Sequence, residues 1–394
     1  MVRASSSSLF GKITILFVIC YFGTGGLCVN TALALSGSGT QEDPWLIQSL
    51  EDFNDFAADA NYWDDYTRLE TDVNLAGMVY ERAVIGDRYY DDGYIGTAFS
   101  GVFDGNDHKI LNLTIDDGGA GNNSVGLFGD IESDGQVRNL GLEGGSVSGG
   151  RRVGSLVGMI EEYGIVSNCY STGDVNGGGI VGGLIGFMYG SRASNCYSTG
   201  DVSGTGDHIG GLVGYAAGIV SNCYSTGNVS GDYEVGGLMG GNENISISNC
   251  YSTGDVNGDG IVGGLMGKNL GLVSNCYSTG DVQGAGVENV GGLVGYHYSP
   301  GISYCFWDTD TQTHGVTESI GGGSGVVTNV LGLPTFLLHQ QSTFTDWDFI
   351  YVWNIGENQT YPYLRVYLPS DINKDRIVNF LDLSITANKW MEEQ

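Results

Sequence analysis

Apolar and small residues in this chain recur in short blocks separated by glycines, with no stretch that keeps a 3.6-residue period for long. One block, Val-Gly-x-Leu-x-Gly or a close variant, begins at Val125, Val153, Val181, Ile209, Val235, Val262 and Val290. A second, Ser-Asn-Cys-Tyr-Ser-Thr-Gly-Asp/Asn-Val, begins at Ser167, Ser194, Ser221, Ser248 and Ser274, with the degenerate SYCFWDTD at Ser303. Both advance by 26 to 28 residues, the mark of a repeat array. A unit this short cannot bury its own apolar face, so successive units must stack on one continuous core. The blocks hold Val, Ile, Tyr, Ser, Thr and Gly in place of Ala, Leu, Glu and Lys, which excludes a helical solenoid. The pattern predicts an all-β, parallel β-helix (β-solenoid) of about eight coils. Each coil has two or three short strands, each pairs in parallel with its copy ~4.8 Å along the axis, and the winding is right-handed, the usual hand of parallel crossovers.

Even spacing turns sequence columns into ladders. Cys169, Cys196, Cys223, Cys250, Cys276 and Cys305 should stand one above another, beside Asn168, Asn195, Asn222, Asn249 and Asn275, and beside Tyr170, Tyr197, Tyr224, Tyr251 and Tyr277, ending in Phe306. Stacked asparagines can exchange amide hydrogen bonds, and a thiol fits a narrow core. Free buried thiols, disulfides between neighbouring rungs and metal ligation all stay open. In-register side chains point the same way, which disfavours the bridge torsion, and no histidine shares the cysteine period.

The two ends read differently from the body. In residues 1–34, Arg3 and Lys12 precede the apolar run Ile13 to Cys20, and Ala32-Leu33-Ala34 supplies a small-x-small cleavage site, so this segment is expected to be a secretory signal peptide. Gly23, Gly25 and Gly26 stop the run short of the ~20 residues a membrane span requires, and no transmembrane anchor is expected elsewhere. Cys28 lacks the small residue that usually precedes a lipidated cysteine. Ser49 to Asp59 predicts an N-terminal capping helix, with Ser49 as N-cap and Leu50, Phe53 and Phe56 on one side. Trp347, Phe349, Trp353, Tyr361 and Tyr363 form an aromatic group expected to pack as the terminal cap of the array, with an exposed sugar-stacking platform as the alternative.

The formal charge of -30 makes nucleic acid and anionic membranes poor partners. Between Ala193 and Leu364 the only Lys or Arg is Lys268. There are 68 glycines and 5 prolines without a three-residue period, which fits tight turns between strands and excludes collagen.

The segments GLFG, GLIG, GLVG and GLMG, each followed by a SNCYSTGDV-like stretch, resemble the GLUG-motif repeats of bacterial secreted and surface proteins. The resemblance runs from about residue 39 to 366, through GTQEDPWLIQSLEDFNDFA and FDGNDHKILNLTI at one end and STFTDWDFIYVWNIGENQTYPYLR at the other. It implies an architecture more than an activity, since such repeats accompany adhesins and peptidases alike. Ser155 stands where the motif has glycine, a departure a solenoid should tolerate.

Residues 371–382, DINKDRIVNFLD, place oxygen ligands as a twelve-residue calcium loop does: Asp371, Asn373 and Asp375 at positions 1, 3 and 5, the Ile377 carbonyl at 7, Asn379 at 9 and Asp382 at 12. The loop resembles one half of a type I dockerin, which implies Ca²⁺ as cofactor and a cohesin-like or cell-envelope partner through residues 369–394. Arg376 replaces the usual glycine, Asp382 is shorter than the usual Glu, no entering helix precedes the loop, and a second loop is absent. A polar surface turn ahead of the helix Leu381 to Met391 is the plain alternative.

Catalytic candidates are sparse. Asp174, Asp201, Asp255 and Asp281 form a column interrupted by Asn228, and a residue repeated in every coil behaves as scaffold. The acids and bases that break the repeat are Asp308 with Asp310, and Asp207 with His208. Neither HExxH nor GxSxG occurs. The domain division expected is a signal peptide (1–34), an N-terminal cap (35–98), the repeat solenoid (99–310), a C-terminal cap (311–368) and the dockerin-like loop and helix (369–394). The function expected is a non-catalytic secreted or cell-surface protein acting in adhesion or binding, with a protein or polysaccharide ligand on the solenoid face. The alternative is a carbohydrate-active β-helix of a dockerin-bearing degradation system, and the question of enzymatic activity stays open.

Overall fold

The computed structural model describes residues 35–365 apart from 89–95, 120, 244–245, 286–288 and 299–300, and, ahead of these, the paired segments Phe17–Val18 and Asn30–Thr31. Apart from those two paired segments, the proposed signal peptide lies outside the described residues, as does the calcium loop. What is described is a parallel β-solenoid with very little helix. One coil shows the plan: Ile180–Gly182, Ile185–Ser194, Tyr197–Ser198 and Val202–Gly204. Each strand pairs in parallel with its copy one coil on, Val181 with Ile209, Ile185 with Val213, Ala193 with Val220, Tyr197 with Tyr224 and Val202 with Val229. The face that holds Val202–Gly204 has seven strands and the one that holds Ile180–Gly182 has six, so the array has about seven full coils where eight were expected.

Register keeps the inward positions identical from coil to coil. Val166, Ala193, Val220, Ile247, Val273 and Ile302 form one buried column, and Leu156, Leu184, Leu212, Leu238, Leu265 and Leu293 another. At ~25 cal/mol per Å² of apolar area, such columns supply the main stabilisation, shared between neighbours.

The two repeated phrases meet inside the coil. Ser252 donates its hydroxyl to the Gly264 carbonyl at 2.6 Å, and Ser278 donates to that of Gly292 at 2.7 Å. A Cβ on Gly183 would stand 2.3 Å from Ser198 Oγ, and one on Gly211 at the same distance from Ser225 Oγ. The serine after Cys-Tyr therefore packs directly on the glycine before Leu. Ser155 fits the glycine position by donating to the Gly183 carbonyl at 2.5 Å.

The asparagine ladder is also a corner. Asn168, Asn195, Asn222, Asn249 and Asn275 all turn the chain at φ of 53 to 55°, a left-handed conformation that Asn tolerates better than other side chains that carry a Cβ. Their amides link coil to coil, Asn195 to Asn168 at 3.0 Å, Asn222 to Asn195 at 3.2 Å and Asn249 to Asn222 at 3.1 Å. Asn139 extends the ladder by a rung, accepting from Asn168 at 2.9 Å. A second, internal polar ladder that the sequence did not reveal runs Asn242 to Asn269 at 2.7 Å and Asn269 to His297 at 3.1 Å.

The N-terminal end is closed by the helix Leu50–Ala58. Ser49 Oγ accepts from the Asp52 amide at 3.1 Å, and Asp52 accepts from Gln48 at 2.9 Å, a reciprocal cap. Phe53 and Phe56 are fully buried, but Leu50 is 38% exposed, because the chain leaves the core at the first turn. At the other end Leu338, Phe344, Trp347, Trp353 and Leu364 pack against Tyr251, Tyr277 and Phe306, along the flank of the last coils. The last strand of the solenoid, Val327–Leu333, pairs among the described residues only with Gly301–Asp308, and Val327 is 49% exposed at the end of its inward column.

Candidate functional site

The carboxylate column is used up in holding the coils together. Asp174 Oδ1 accepts from the Asp201 amide at 3.0 Å, Asp201 from Asn228 at 2.8 Å, Asn228 from Asp255 at 3.1 Å and Asp255 from Asp281 at 2.9 Å. Asn228 can replace Asp because the bond needs only a side-chain carbonyl oxygen. At the last rung Asp281 receives Thr313 and, at 3.0 Å, His314 Nδ1, and the hydrogen bonds from Thr313 hold its carboxyl below the usual range against its partial burial. The column borders a polar groove of about 420 Å³ with Ser203, Ser230 and Gln283 on its other side.

Asp308 and Asp310 are anchors. Asp308 is buried and accepts from Tyr361 OH at 2.5 Å and Thr335 Oγ1 at 2.7 Å, while Asp310 accepts from the Thr335 amide at 3.1 Å. Neither carboxylate faces a groove of its own; both tie the flank segment to the rod.

The cysteines are buried and free, each thiol donating to a carbonyl two residues back at 3.1 to 3.2 Å. Burial pushes the Cys169, Cys196 and Cys276 thiols well above their ordinary range, which removes them as nucleophiles. Among the described residues no three His, Cys, Asp or Glu side chains form a group able to hold a metal ion.

Of the Asp207 and His208 pair, only His208 joins a cluster. Its Nδ1 lies 2.7 Å from Glu234 Oε2, and Lys268 Nζ lies 3.1 Å from Glu234 Oε1. Glu234 is 3% exposed and sits on the rung after His208. The next column runs Phe187, Tyr215, Gly241, Lys268, so a glycine opens the space that Glu234 and His208 fill; a Cβ there would stand 2.7 Å from the carboxylate. Tyr215 lies against the His208 ring at 4.7 Å and donates to Glu243 at 3.0 Å. Glu234 escaped sequence reading because Tyr-Glu-Val-Gly-Gly looks like any repeat start. The signal that could have found it is the isolation of Lys268 in an acidic body.

Two sets of tyrosines lie on the outside of the coils and differ in kind, the first being covered at its far end, Tyr251 and Tyr277, by the flank segment. Tyr170, Tyr197, Tyr224, Tyr251 and Tyr277 stack at 4.7 to 5.0 Å with interplanar angles of 2 to 6°, so each ring covers the faces of its neighbours. Tyr163 and Tyr189 instead stand at the rim of the second groove, about 1110 Å³, which crosses five coils from Glu162 to Leu272. Tyr163 is 68% and Tyr189 51% exposed. Its floor follows the outward column Ile165, Arg192, Ile219, Ser246 and Leu272.

Comparison with known proteins agrees with this architecture. Residues 149–176, 205–230 and 231–257 match the family described as the GLUG motif. The chain is 36% identical over 152 residues to halomucin of Haloquadratum walsbyi, a match that covers 38% of this chain and 2% of that protein. It is 30% identical over 215 residues to a protein of Evansella cellulosilytica provisionally named a Gly-rich membrane protein, covering 44% of this chain and 23% of the relative. The chain therefore spans less than a quarter of the length of either. A solved structure from Bacteroides ovatus, provisionally named an immunoglobulin A1 protease, superposes with a TM-score of 0.58 at 23% identity, over 83% of this chain and 94% of the other. That likeness concerns the fold. No helix among the described residues is long and apolar enough to cross a membrane. The chain carries GLUG-motif repeats wound into a parallel β-solenoid.

Proposed function

We propose that this is a secreted or cell-surface repeat protein that acts by adhesion or binding and not by catalysis. The observation that carries the reading is the employment of its acids: the repeated Asp column, though it borders a groove, gives Oδ1 to the backbone of the next coil in rung after rung, and Asp308 and Asp310 secure the flank, so these carboxylates serve as scaffold. The names of the relatives, a halomucin and a membrane protein, support a surface or extracellular setting. On this reading residues 1–34 direct export. Residues 369–394 form a docking element in which Asp371, Asn373, Asp375, the Ile377 carbonyl, Asn379 and Asp382 hold Ca²⁺ and present the following helix to a cohesin-like or envelope partner. The chemistry of the ion there is charge neutralisation and loop ordering.

The test is co-sedimentation of the purified chain with insoluble cell-envelope material, with reducing ends and free amines measured in the supernatant. Retention without release of either supports the reading; release of sugar or peptide by the chain refutes it. For the C-terminal loop, calorimetry should detect Ca²⁺ binding that Asp371→Ala with Asp375→Ala abolishes.

A further inference from the structure

We propose that the five-coil groove rimmed by Tyr163 and Tyr189 is the site at which an extended, uncharged polysaccharide lies along the rod; this rests on the binding function proposed above. The argument starts from ring faces. A sugar ring packs against the face of an aromatic ring, and in the Tyr170 to Tyr277 ladder those faces are already covered by the next tyrosine at 4.7 to 5.0 Å. At the groove the next rung is small: the Tyr163 amide bonds to Gly190 at 3.0 Å, and Tyr189 is in register with Ala217. Among the described residues neither ring stacks on another aromatic, so both offer open faces at one end of the groove.

The backbone supports a role beyond packing. Tyr163 is held at φ 66°, the left-handed conformation that the next coil satisfies with Gly190 at φ 61°. A bulky residue is strained there, and such strain persists where a side chain has a function to perform. Tyr189 stands beside a register shift between Tyr189 and Arg192 that interrupts the regular ladder.

The groove also limits the chemistry of its occupant. Its length, four rung spacings or about 19 Å, suits a chain and not a single small molecule. Glu162 and Glu243 outnumber Arg192 along it, in a protein of charge -30, which disfavours polyanions. Carboxylates accept from hydroxyls, and Glu243 spends only Oε2 on Tyr215. A peptide would bind such a surface by adding a strand to a sheet edge, but the floor strands here are paired on both sides along the axis, for instance Ile219 with Arg192 and Ser246.

The experiment is affinity electrophoresis of the purified chain in native gels cast with mixed-linkage β-glucan, glucomannan or xyloglucan, with alginate as the anionic control. At least one neutral polymer should retard the chain and alginate should not. Tyr163→Gly with Tyr189→Ala should weaken retardation at least ten-fold. Tyr163→Gly alone should weaken it while leaving the thermal midpoint equal or higher, which separates a binding role from a structural one. Retardation that these variants leave unchanged would overturn the groove assignment while the adhesive function stands. Lack of retardation by every neutral polymer overturns the glycan proposal, and envelope co-sedimentation then decides the adhesive function separately. Retardation by alginate alone, or capture of peptides in place of glycans through Tyr163, would overturn it as well.

Discussion

Tyr361 donates its hydroxyl to the buried Asp308 carboxylate at 2.5 Å, across 53 residues of sequence, and so ties the flank segment to the last full coil. Tyr361→Phe removes the donor and leaves Thr335 to satisfy Asp308, a loss expected at about 1 kcal/mol. Asp308→Ala strands both donors and should cost more, about 2 to 3 kcal/mol. Urea melts followed by tryptophan emission should show both losses, with a red shift at low urea as Trp347 and Trp353 gain water. An unchanged midpoint in Asp308→Ala would refute the anchoring role.

Asp130 provides a pH dependence. Burial lifts its carboxyl to about 7, and Arg88, 3.0 Å away, offsets this only in part because Glu132 and Glu161 share the same guanidinium. A carboxyl raised in the folded state contributes most below its unfolded value near 4, and that contribution is lost as the pH climbs to about 7. Asp130→Asn should therefore match the native chain at pH 4 and exceed it at pH 8 by a few kcal/mol. Thermal midpoints across that range test the sign.

The asparagine ladder separates into a turn and a bond. Asn222→Gly keeps the left-handed corner and loses the amide links to Asn195 and Asn249, at a cost of roughly 1 to 2 kcal/mol. Asn222→Ala loses both links and also strains the corner, adding about 1 kcal/mol. Equal denaturation midpoints for the two variants would contradict this division.

Gly241 and Glu234 should be coupled. Gly241→Ala forces a methyl against the Glu234 carboxylate and is expected to destabilise by about 1 to 3 kcal/mol. In a Glu234→Ala background the same change should cost much less, and a double-mutant cycle with an interaction energy near zero would rule out the packing described.

Much of the rod could be read from spacing. The fixed step placed the Cys, Asn and Tyr columns because in-register stacking leaves a side chain no other neighbour than its own copy. What departed from the repeat was harder to see. Leu50 escaped burial because a helix period says which residues share a face but not where the helix leaves the core. Asp308 looked like a catalytic acid because its partner Tyr361 lies in another segment, and no local pattern joins them. Glu234 and Tyr163 sit in phrases that pass for ordinary repeats, and only a glycine beside each, Gly241 in the same coil as Glu234 and Gly190 on the coil after Tyr163, gives them their setting.

The serine-to-glycine joint has a consequence for how this protein can change over generations. Since a serine side chain packs on Gly183, Gly211, Gly237 and Gly264 alike, each of these coils presents the same seam to the next. A duplication or loss of one such unit would leave the seams matched, making length an adjustable trait, while features confined to one place, such as Tyr163 and Tyr189, would be copied or deleted outright.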